Sequence, residues 1–497
     1  MKRRPFILTT SAALATCSHL KAKNVEPTFK VTLPEAHKGT LEIDTKLLDS
    51  YGKLPENVRQ FYFETRAVFA GNRSADFFSP EIIRAAQRHG IPLMGGPMLG
   101  RLAEDGVTFW LRPSTADDIT ITAGSQSVKV AAPIPGSTHR IPIKGLAANT
   151  LYPYKVRIAA GVVAQGQFRT APKVDSAEPF RLAFGSCCHK IGVHNPNLFV
   201  QILDRQPHAM MMLGDIAVDD RNDEINMHRA DYQLRDVSAP WRNLVANVPI
   251  YASWDDHDYF DNDLSGIPKR YTAKDRDGVR RVYAENWNNP AVGSKQEGIY
   301  FNTRIGPVEI IMLDTRSCRD GKRRHEYGSY LGEAQLKWLK QVLSRSDAPF
   351  KVISSGTMWS DYVSKAKDSW GSWDKQAREE LFELIEKNRI GGVLLVSGDR
   401  HGARGFRIPR PSGFNFYEFE PATLGGVSGP EGLVKNCPEQ LFGYGGRDSQ
   451  GNDFIAVGEF TFDTDRSDPQ VTFRLIHQTG EILEEIDLSL QQLTPNA

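Results

Sequence analysis

The feature that most constrains this chain is a series of short apolar segments, each followed at once by residues able to bind metal or phosphate. From about residue 178 onward, apolar segments of strand length alternate with amphipathic segments of helix length. The apolar segments are FRLAFGS, AMMMLGD, IYASWDD, EIIMLD, FKVISSG and GVLLVSGD. This alternation predicts an α/β architecture whose strands are mostly buried.

The carboxyl ends of these predicted strands carry most of the candidate functional residues. They are Cys187, Cys188, Asp215, Asp255, Asp256, His257, Asp314, Arg316, Asp399 and His401. A single Asp after a strand is often a turn residue or a helix cap. Ligands of α/β sheets bind at the carboxyl ends of the strands, however, so we expect these side chains to converge on one pocket.

Two of these clusters point to metal binding. The run WDDHD places four ionisable groups at residues 255–258, directly after the apolar segment 250–254. Adjacent carboxylates that become buried without a cation acquire raised pKa values at a cost in stability, so partial burial favours a bound ion over a solvated acidic turn. In SGDRH, Asp399 and His401 lie two residues apart, on the same side of an extended backbone. Both could therefore contact one ion.

The order of these motifs resembles that of alkaline phosphatase D, the PhoD-like branch of the metallophosphoesterases. The matching motifs are FGSC (184–187), LGD (213–215), WDDHD followed by Asn262 and Asp263, LDTR (313–316), LGEAQLKWL (331–339) and VSGDRH (396–401). The resemblance extends over roughly residues 178–480. It implies an α/β (α+β) layered β-sandwich flanked by helices, and the metal-dependent hydrolysis of phosphate esters.

The resemblance also implies a set of metal ligands. Cys187 matches a thiolate ligand of iron, with Asp399 on the same ion, and Asp215 matches the carboxylate that lies between metals. Asp255 occupies the position of a ligand of the second metal, and His401 that of a further ligand or phosphate contact. Members of the family use iron with calcium. A thiolate and imidazoles suit a transition metal, whereas carboxylates suit calcium equally well.

The candidate catalytic residues are Asp256, His257 and Arg316. His257 resembles the histidine that hydrogen-bonds the phosphoryl group or the leaving oxygen. Arginine has the planar group that suits bidentate recognition of phosphate, so either Arg316 or Arg319 is expected to contact the substrate, and Arg316 is the candidate. The expected substrate is a small-molecule phosphate ester, hydrolysed as a monoester, a diester or both.

One departure from the family concerns the iron site. The family pattern GDxxY has a metal-binding tyrosine where this chain has Val218, and the following Asp219 and Asp220 are candidate substitutes. Cys188 stands where the family often has Gln. A bridge between Cys187 and Cys188 is an alternative to metal binding by Cys187.

Upstream of the predicted phosphatase domain (173–490), the sequence pattern is different. Residues 99–172 contain short alternating segments separated by turn residues, which predicts a small fibronectin III or immunoglobulin-like β-sandwich. Tyr152 or Tyr154 would be its packing aromatic residue. We assign no function to residues 23–98.

Within residues 23–98, one helix is clear. The stretch SPEIIRAAQRHG predicts a helix with Ser79 as its N-cap, Pro80 in the first turn and Gly90 at its end.

The N-terminus has the layout of an export signal. Residues 1–22 place Arg3 and Arg4 before an apolar stretch and small residues, in the manner of a twin-arginine signal. We therefore expect a periplasmic or secreted protein, with lipid attachment at Cys17 a minor alternative and a disordered cytoplasmic tail the competing interpretation. No later apolar run is long enough to cross a bilayer.

The net charge and the number of cysteines limit which partners and which kind of fold are expected. The formal net charge is +1, which gives no reason to expect a nucleic-acid partner. Four cysteines besides Cys17 are too few for a disulfide framework in a chain of 497 residues, although one pair could form a bridge. Two competing functions are a non-catalytic extracytoplasmic binding protein on a phosphatase scaffold and a metal-dependent hydrolase of another ester.

Overall fold

The structure is a computed structural model that describes residues 24–218, 224–290, 298–363, 369–429, 432–447 and 451–496. The predicted export signal, Cys17, Asp219 and Asp220 lie outside the described residues. No helix among the described residues is both long and apolar enough to cross a membrane.

The chain begins with a group of helices that form their own core. They are α1 (Leu33–Lys38), α2 (Leu41–Asp49), α3 (Glu56–Gly71) and α4 (Pro80–Arg88). Helix α4 has Pro80 in its first turn as predicted, and Gly90 just beyond its end has the positive φ (65°) that glycine tolerates. The Ser79 side chain does not cap this helix. Its hydroxyl instead accepts a hydrogen bond from the backbone N–H of Asp76, at 3.1 Å.

An all-β region follows, as the sequence predicts, although its first strand starts upstream of residue 99. The strands are β1 (Leu93–Ala103), β2 (Gly106–Pro113), β3 (Ile119–Ala123), β4 (Gln126–Val130), β5 (His139–Ile143), β6 (Leu151–Ile158) and β7 (Gly161–Arg169). They form two antiparallel sheets with the strand orders β1-β2-β5 and β4-β3-β6-β7. Tyr154 is the buried aromatic residue of the two candidates; its ring centroid lies 4.7 Å from that of Phe109. The division of the chain into domains stays a prediction.

The rest of the chain alternates strands and helices. Its strands are β8 (Phe180–Gly185), β9 (Ala209–Leu213), β10 (Ile250–Ser253), β11 (Phe301–Ile305), β12 (Val308–Met312), β13 (Phe350–Ser354), β14 (Val393–Val396), β15 (Ala403–Pro409), β16 (Asn415–Pro421), β17 (Gln440–Tyr444), β18 (Ala456–Asp463), β19 (Gln470–His477) and β20 (Ile482–Ser489). Its α-helices are α5 (His189–Gly192), α6 (Pro196–Arg205), α7 (Ile225–Val237), α8 (Ala239–Val245), α9 (Asp256–Tyr259), α10 (Ala273–Asn286), α11 (Glu333–Arg345), α12 (Trp370–Trp373) and α13 (Lys375–Lys387), with a 3₁₀ turn at Gly321–Arg323. All six apolar segments of the sequence form strands.

Two sheets, rather than one, hold these strands. The first has the order β10-β9-β8-β18-β19-β20, and the second the order β11-β12-β13-β14-β16-β15-β17. Strands β8, β9 and β10 run parallel in the first sheet, and β12, β13 and β14 run parallel in the second. The motifs predicted to bind metal therefore come from the carboxyl ends of parallel strands in two different sheets.

The two sheets pack face to face, with helices on their outer sides. Phe419 of β16 stacks on Phe473 of β19, with ring centroids 4.3 Å apart, across the space between the sheets. Neighbouring residues of each strand face opposite sides, so Met211 joins the core between the sheets while Met210 packs under α6, α8 and α10. Helices α11 and α13 cover the second sheet in the same way. The predicted layered α/β fold is confirmed.

Candidate metal centre

The residues predicted from sequence lie together where the two sheets meet. Cys187 follows β8, Asp215 follows β9, and Asp255, Asp256 and His257 follow β10 in the first sheet. Arg316 follows β12 and Asp399 and His401 follow β14 in the second sheet. The exposed fraction is at most 5% for every one of these residues except Asp399 and His401, which are partly buried.

Three overlapping groups of side chains could hold metal ions. Within each group the ligand atoms lie within 4.8 Å of one another. The groups are Cys187, His189, Asp215 and His401; Asp215, Asp256 and His257; and Asp255, Asp256 and Asp399. Asp215 and Asp256 each belong to two groups. Adjacent ions bound here would therefore share carboxylate ligands.

His189 is the member of these groups that sequence reasoning missed. It begins the short helix α5, and its Nε2 lies 3.5 Å from Nε2 of His401. Two imidazole nitrogens facing each other beside a thiol are a typical metal-binding arrangement. The signal was present in the sequence, since His189 follows Cys187 by two residues.

The backbone at this centre adopts an uncommon conformation. Cys187, His189, Asp215, Asp399 and His401 all have φ between 51° and 73°, in the left-handed region. Residues other than glycine rarely adopt such angles, and they cluster where the surrounding fold enforces a functional geometry. Every member of the group that contains Cys187 is held in this way.

A glycine permits the close approach of two strand ends. Gly214 has a φ of 109°, and a Cβ added there would lie 2.6 Å from the Cβ of Asp255. Any larger residue would push apart the loops that follow β9 and β10. The glycine of the LGD motif is therefore needed for steric reasons, whereas the aspartate of the motif, Asp215, is the potential metal ligand.

The electrostatics of the buried carboxylates fit a bound cation. Burial, and next the neighbouring Asp256, raise the pKa of Asp215 well above its usual range. Burial, and next the carboxylate of Asp215, likewise raise the pKa of the Cys187 thiol. Burial raises the pKa of Asp258 to about 7, although the backbone N–H groups of Asp215 and Ile216 donate to it. A metal ion would favour the charged forms that burial here disfavours.

The tautomer of His401 also suits metal binding. Its Nδ1 hydrogen-bonds the carbonyl oxygen of Val427, which requires Nδ1 to carry the proton. Nε2 is then an acceptor that faces His189. Burial, and next the proximity of His189, lower the pKa of His401 to about 3, which keeps the ring neutral. Histidine ligands are commonly oriented by such a hydrogen bond from the other ring nitrogen.

Arg316 contacts the carboxylates of the centre. Its Nε donates to Asp255, and its Nη2 lies 3.7 Å from Asp256 Oδ1 and 3.5 Å from Asp399 Oδ1. The side chain is fully buried. In this arrangement the guanidinium balances the charge of three acidic groups, and its predicted role as a phosphate clamp stays a prediction.

Asp314 has a structural role that its position in the LDTR motif did not reveal. Its carboxylate accepts hydrogen bonds from Trp254 Nε1 at 2.8 Å and from the backbone N–H of Ile299 at 2.9 Å. It also accepts from the backbone N–H groups of Arg316 and Ser317. These bonds connect the loop after β12 to the WDDHD run.

The two neighbouring cysteines have different surroundings. The Sγ of Cys187 lies 4.0 Å from Asp215 Oδ2, whereas the Sγ of Cys188 lies 3.5 Å from the carbonyl oxygen of Leu424, within an apolar cluster. All four cysteines of the described ranges are thiols, so neither the Cys187–Cys188 bridge nor another disulfide is present there. Val218 is fully buried in the same apolar cluster and offers no donor in place of the tyrosine.

Comparison with known proteins confirms the family resemblance. Residues 186–428 match the family of PhoD-like phosphatases. Alkaline phosphatase D of Bacillus subtilis (strain 168) is 22% identical, over 54% of this chain and 54% of its own length. The chain thus spans about half the length of this curated relative.

Two solved structures share the fold. The structure of PhoD superposes with a TM-score of 0.63 at 17% identity, over 80% of this chain and 89% of that protein. A purple acid phosphatase isolated from yellow lupin (Lupinus luteus) seeds gives a TM-score of 0.58 at 14% identity, over 80% of this chain and 75% of that protein.

Proposed function

We propose that this chain, whose residues 186–428 match the PhoD-like phosphatases, hydrolyses phosphate esters with the help of bound metal ions. One observation carries the proposal. Asp215 and Asp256 are each shared between two groups of potential ligands, and both are buried together with His257. These residues would hold two adjacent metal ions, which would together stabilise the charge on a phosphoryl group.

The ligand types suggest two kinds of metal. Cys187, His189 and His401 form a sulfur and nitrogen set that suits a transition metal such as iron. Asp255, Asp256 and Asp399 offer only oxygen and suit a hard cation such as calcium. His189 would supply the ligand that the family's tyrosine provides, because Val218 is apolar.

The protein's own residues have distinct tasks in this reaction. When bound, the metal ions would lower the pKa of a water molecule and stabilise charge on the phosphoryl oxygens. The ring of His257 would donate a proton to the leaving oxygen. Its backbone N–H donates to Asp256 Oδ1 at 3.1 Å and to Asp215 Oδ1 at 3.3 Å, which fixes this histidine beside both carboxylates. Arg316 would keep the acidic groups ionised.

The test of this proposal is hydrolysis of p-nitrophenyl phosphate and bis(p-nitrophenyl) phosphate by the purified protein. We expect activity that a chelator abolishes and that added iron with calcium, or another transition metal, restores. The ratio of the two rates gives the preference for monoesters or diesters. Absence of hydrolysis of both esters by a folded, metal-loaded sample would refute the proposal and favour a binding protein.

We also propose that the protein acts outside the cytoplasm. The support is the order of basic, apolar and small residues in positions 1–22. Expression with and without an Arg3→Lys, Arg4→Lys double substitution tests this. We expect the unmodified protein in the periplasm without residues 1–22, by intact mass, and the variant in the cytoplasm. Equal distribution of the two forms would contradict export by the twin-arginine route.

A further inference from the structure

Helix α1 places His37 at the candidate metal centre. This helix belongs to residues 23–98, for which the sequence indicates no function. The ring centroid of His37 lies 4.6 Å from that of His257, with an angle of 34° between the planes, and 5.9 Å from that of His189. His189 and His257 are themselves 5.0 Å apart. The N-terminal helices thus contribute a ring to the surroundings of the candidate metal centre.

The position of His37 is well defined by local structure. Thr32 and Glu35 form a capping box at the start of α1, with Thr32 Oγ1 2.7 Å from Glu35 Oε2. Ala36, on the same helix, is fully buried. Gly39 ends the helix in the left-handed conformation, and its carbonyl oxygen accepts a hydrogen bond from Arg66 Nη2 at 2.7 Å. Both ends of this short helix are therefore fixed.

A buried ion pair connects the next helix to the loop that carries Cys187. Lys190 Nζ lies 3.0 Å from Asp44 Oδ1 of α2, and both side chains are fully buried. Asp44 also accepts hydrogen bonds from Tyr62 and Arg66 of α3. The N-terminal helices and the metal-binding loop after β8 are consequently held in one fixed arrangement, with α1 beside His257.

The geometry distinguishes His37 from the ligands. Its nitrogens belong to none of the groups of closely spaced ligand atoms among the described residues. Its side chain is partly exposed, whereas His257 behind it is only 5% exposed. His37 is thus more exposed than His257, the histidine proposed to face the leaving oxygen, although Nε2 of His37 is itself buried. A leaving group that extends outward from His257 on this side would pass the ring of His37.

We propose that His37 is a specificity-determining residue that contacts the leaving group and restricts the enzyme to phosphate esters with small leaving groups. This inference rests on the proposed phosphoester hydrolysis. The ring of His37 occupies the space next to His257 and would therefore exclude large leaving groups by steric contact. A pocket that excludes added bulk by packing commonly discriminates by one to two orders of magnitude in kcat/KM.

The experiment compares p-nitrophenyl phosphate with naphthol AS phosphate, which has a much larger leaving group, in the full-length metal-loaded protein. The variants are His37→Ala, His37→Phe and, as a control on the exposed side of α1, Lys38→Ala. We expect His37→Ala to raise kcat/KM for the bulky ester about tenfold or more relative to the small one. His37→Phe and Lys38→Ala keep the original ratio, and the metal content of all variants is unchanged.

Several results would overturn the inference. An unchanged ratio in an active His37→Ala variant would show that the ring is not a steric wall. If His37→Phe changed the ratio as much as His37→Ala, the ring would likewise not be a steric wall. If His37→Ala does not fold, the ratio measured for His37→Phe provides the test. Loss of metal from His37→Ala would make His37 a ligand instead. Inactivity of the unsubstituted protein on both esters would refute the proposed function itself.

Discussion

Lys190 of α5 and Asp44 of α2 form an ion pair, 3.0 Å long, that connects the segment after Cys187 to the N-terminal helices, and both side chains are fully buried. Asp231 Oδ1 lies 3.4 Å from the same ammonium group. Asp44 also pairs with Arg66, so its removal would leave two cationic groups with only the carboxylate of Asp231 nearby. An excess charge in a buried cluster costs far more than the loss of a surface pair.

We therefore predict that Asp44→Asn lowers the free energy of unfolding by about 3–5 kcal/mol. Chemical denaturation followed by circular dichroism measures this. Glu42→Gln is a matched control on the same helix, because Glu42 pairs with Lys46 on the exposed surface and should be replaceable without measurable effect. Similar stabilities of the two variants would contradict the importance of the buried pair.

The two cysteines after β8 should respond differently to substitution. We predict that Cys187→Ser lowers the content of bound transition metal and the activity, because Sγ of Cys187 faces Asp215. Cys188→Ser should keep the metal, because Sγ of Cys188 faces a backbone carbonyl in an apolar cluster. Elemental analysis of both purified variants measures the metal. Loss of metal from Cys188→Ser alone would reverse the assignment.

The carboxylates at the ends of β10 and β14 should be needed for turnover rather than for folding. We predict that Asp399→Asn and Asp255→Asn each reduce kcat more than about 100-fold, with a cooperative thermal transition retained. Asp347→Asn is the control, because that side chain is 95% exposed and remote from the centre. Near-normal turnover in both site variants would exclude these residues from the centre.

Gly214 should be irreplaceable for steric reasons. We predict that Gly214→Ala abolishes most activity and destabilises the protein by about 1–3 kcal/mol, because the new Cβ would overlap Asp255. Gly161 has a similar φ of 127°, but a Cβ there would meet nothing within 4 Å. Gly161→Ala therefore isolates the cost of backbone strain. It should keep full activity, and equal activity losses in the two variants would argue against the steric explanation.

A buried histidine should make the protein less stable in acid. Burial lowers the pKa of His208 to about 3, and its ring nitrogens bond Arg181 N–H and Asn149 Oδ1, each at 3.1 Å. Below the ordinary pKa of about 6.5, the unfolded chain takes up a proton that the folded protein excludes. Stability is therefore lost as pH falls from 6.5 toward 3, by about 1.4 kcal/mol per pH unit from this group.

The replacement His208→Gln tests this contribution. Glutamine can accept from Arg181 and donate to Asn149, but it does not titrate. We predict that the variant loses less stability than the original between pH 6.5 and 4, measured by denaturant titrations at each pH. The partly exposed His139→Gln serves as control. Parallel pH dependences for the His208 variant and the original would contradict the prediction.

The strands and most of the centre were predictable because their signals are local. Apolar runs such as AMMML are buried on both faces, and the polar residues that follow Leu213 and Ser253 stand at strand ends regardless of the rest of the fold. The family resemblance indicated which of these polar residues are expected to bind metal and which are expected to act on the phosphate ester. A candidate set that included Cys187, Asp215 and Asp399 was thus available from the sequence. In the structure Cys187 and Asp215 belong to one group of potential ligands, whereas Asp399 belongs to another group and not, as the resemblance implied, to that of Cys187.

The remaining features depend on contacts between distant parts of the chain. Periodicity does not tell which sheet a strand joins, so the origin of the motifs in two sheets was not predicted. His37 precedes His257 by more than two hundred residues, and nothing in its neighbourhood indicates a pocket. The contacts of Arg316 with Asp255, which follows β10, and with Asp399, which follows β14, likewise join distant parts of the chain, and the LDTR motif does not encode them.

The order of strands in the first sheet has a consequence for protein synthesis. Strand β8, which leads to Cys187, is hydrogen-bonded between β9 and β18, and β18 begins only at Ala456. A ribosome therefore releases the last neighbour of β8 when translation is nearly finished. Until then β8 presents an open edge that can pair with another nascent chain. We therefore expect a prematurely terminated product that lacks β18 to aggregate.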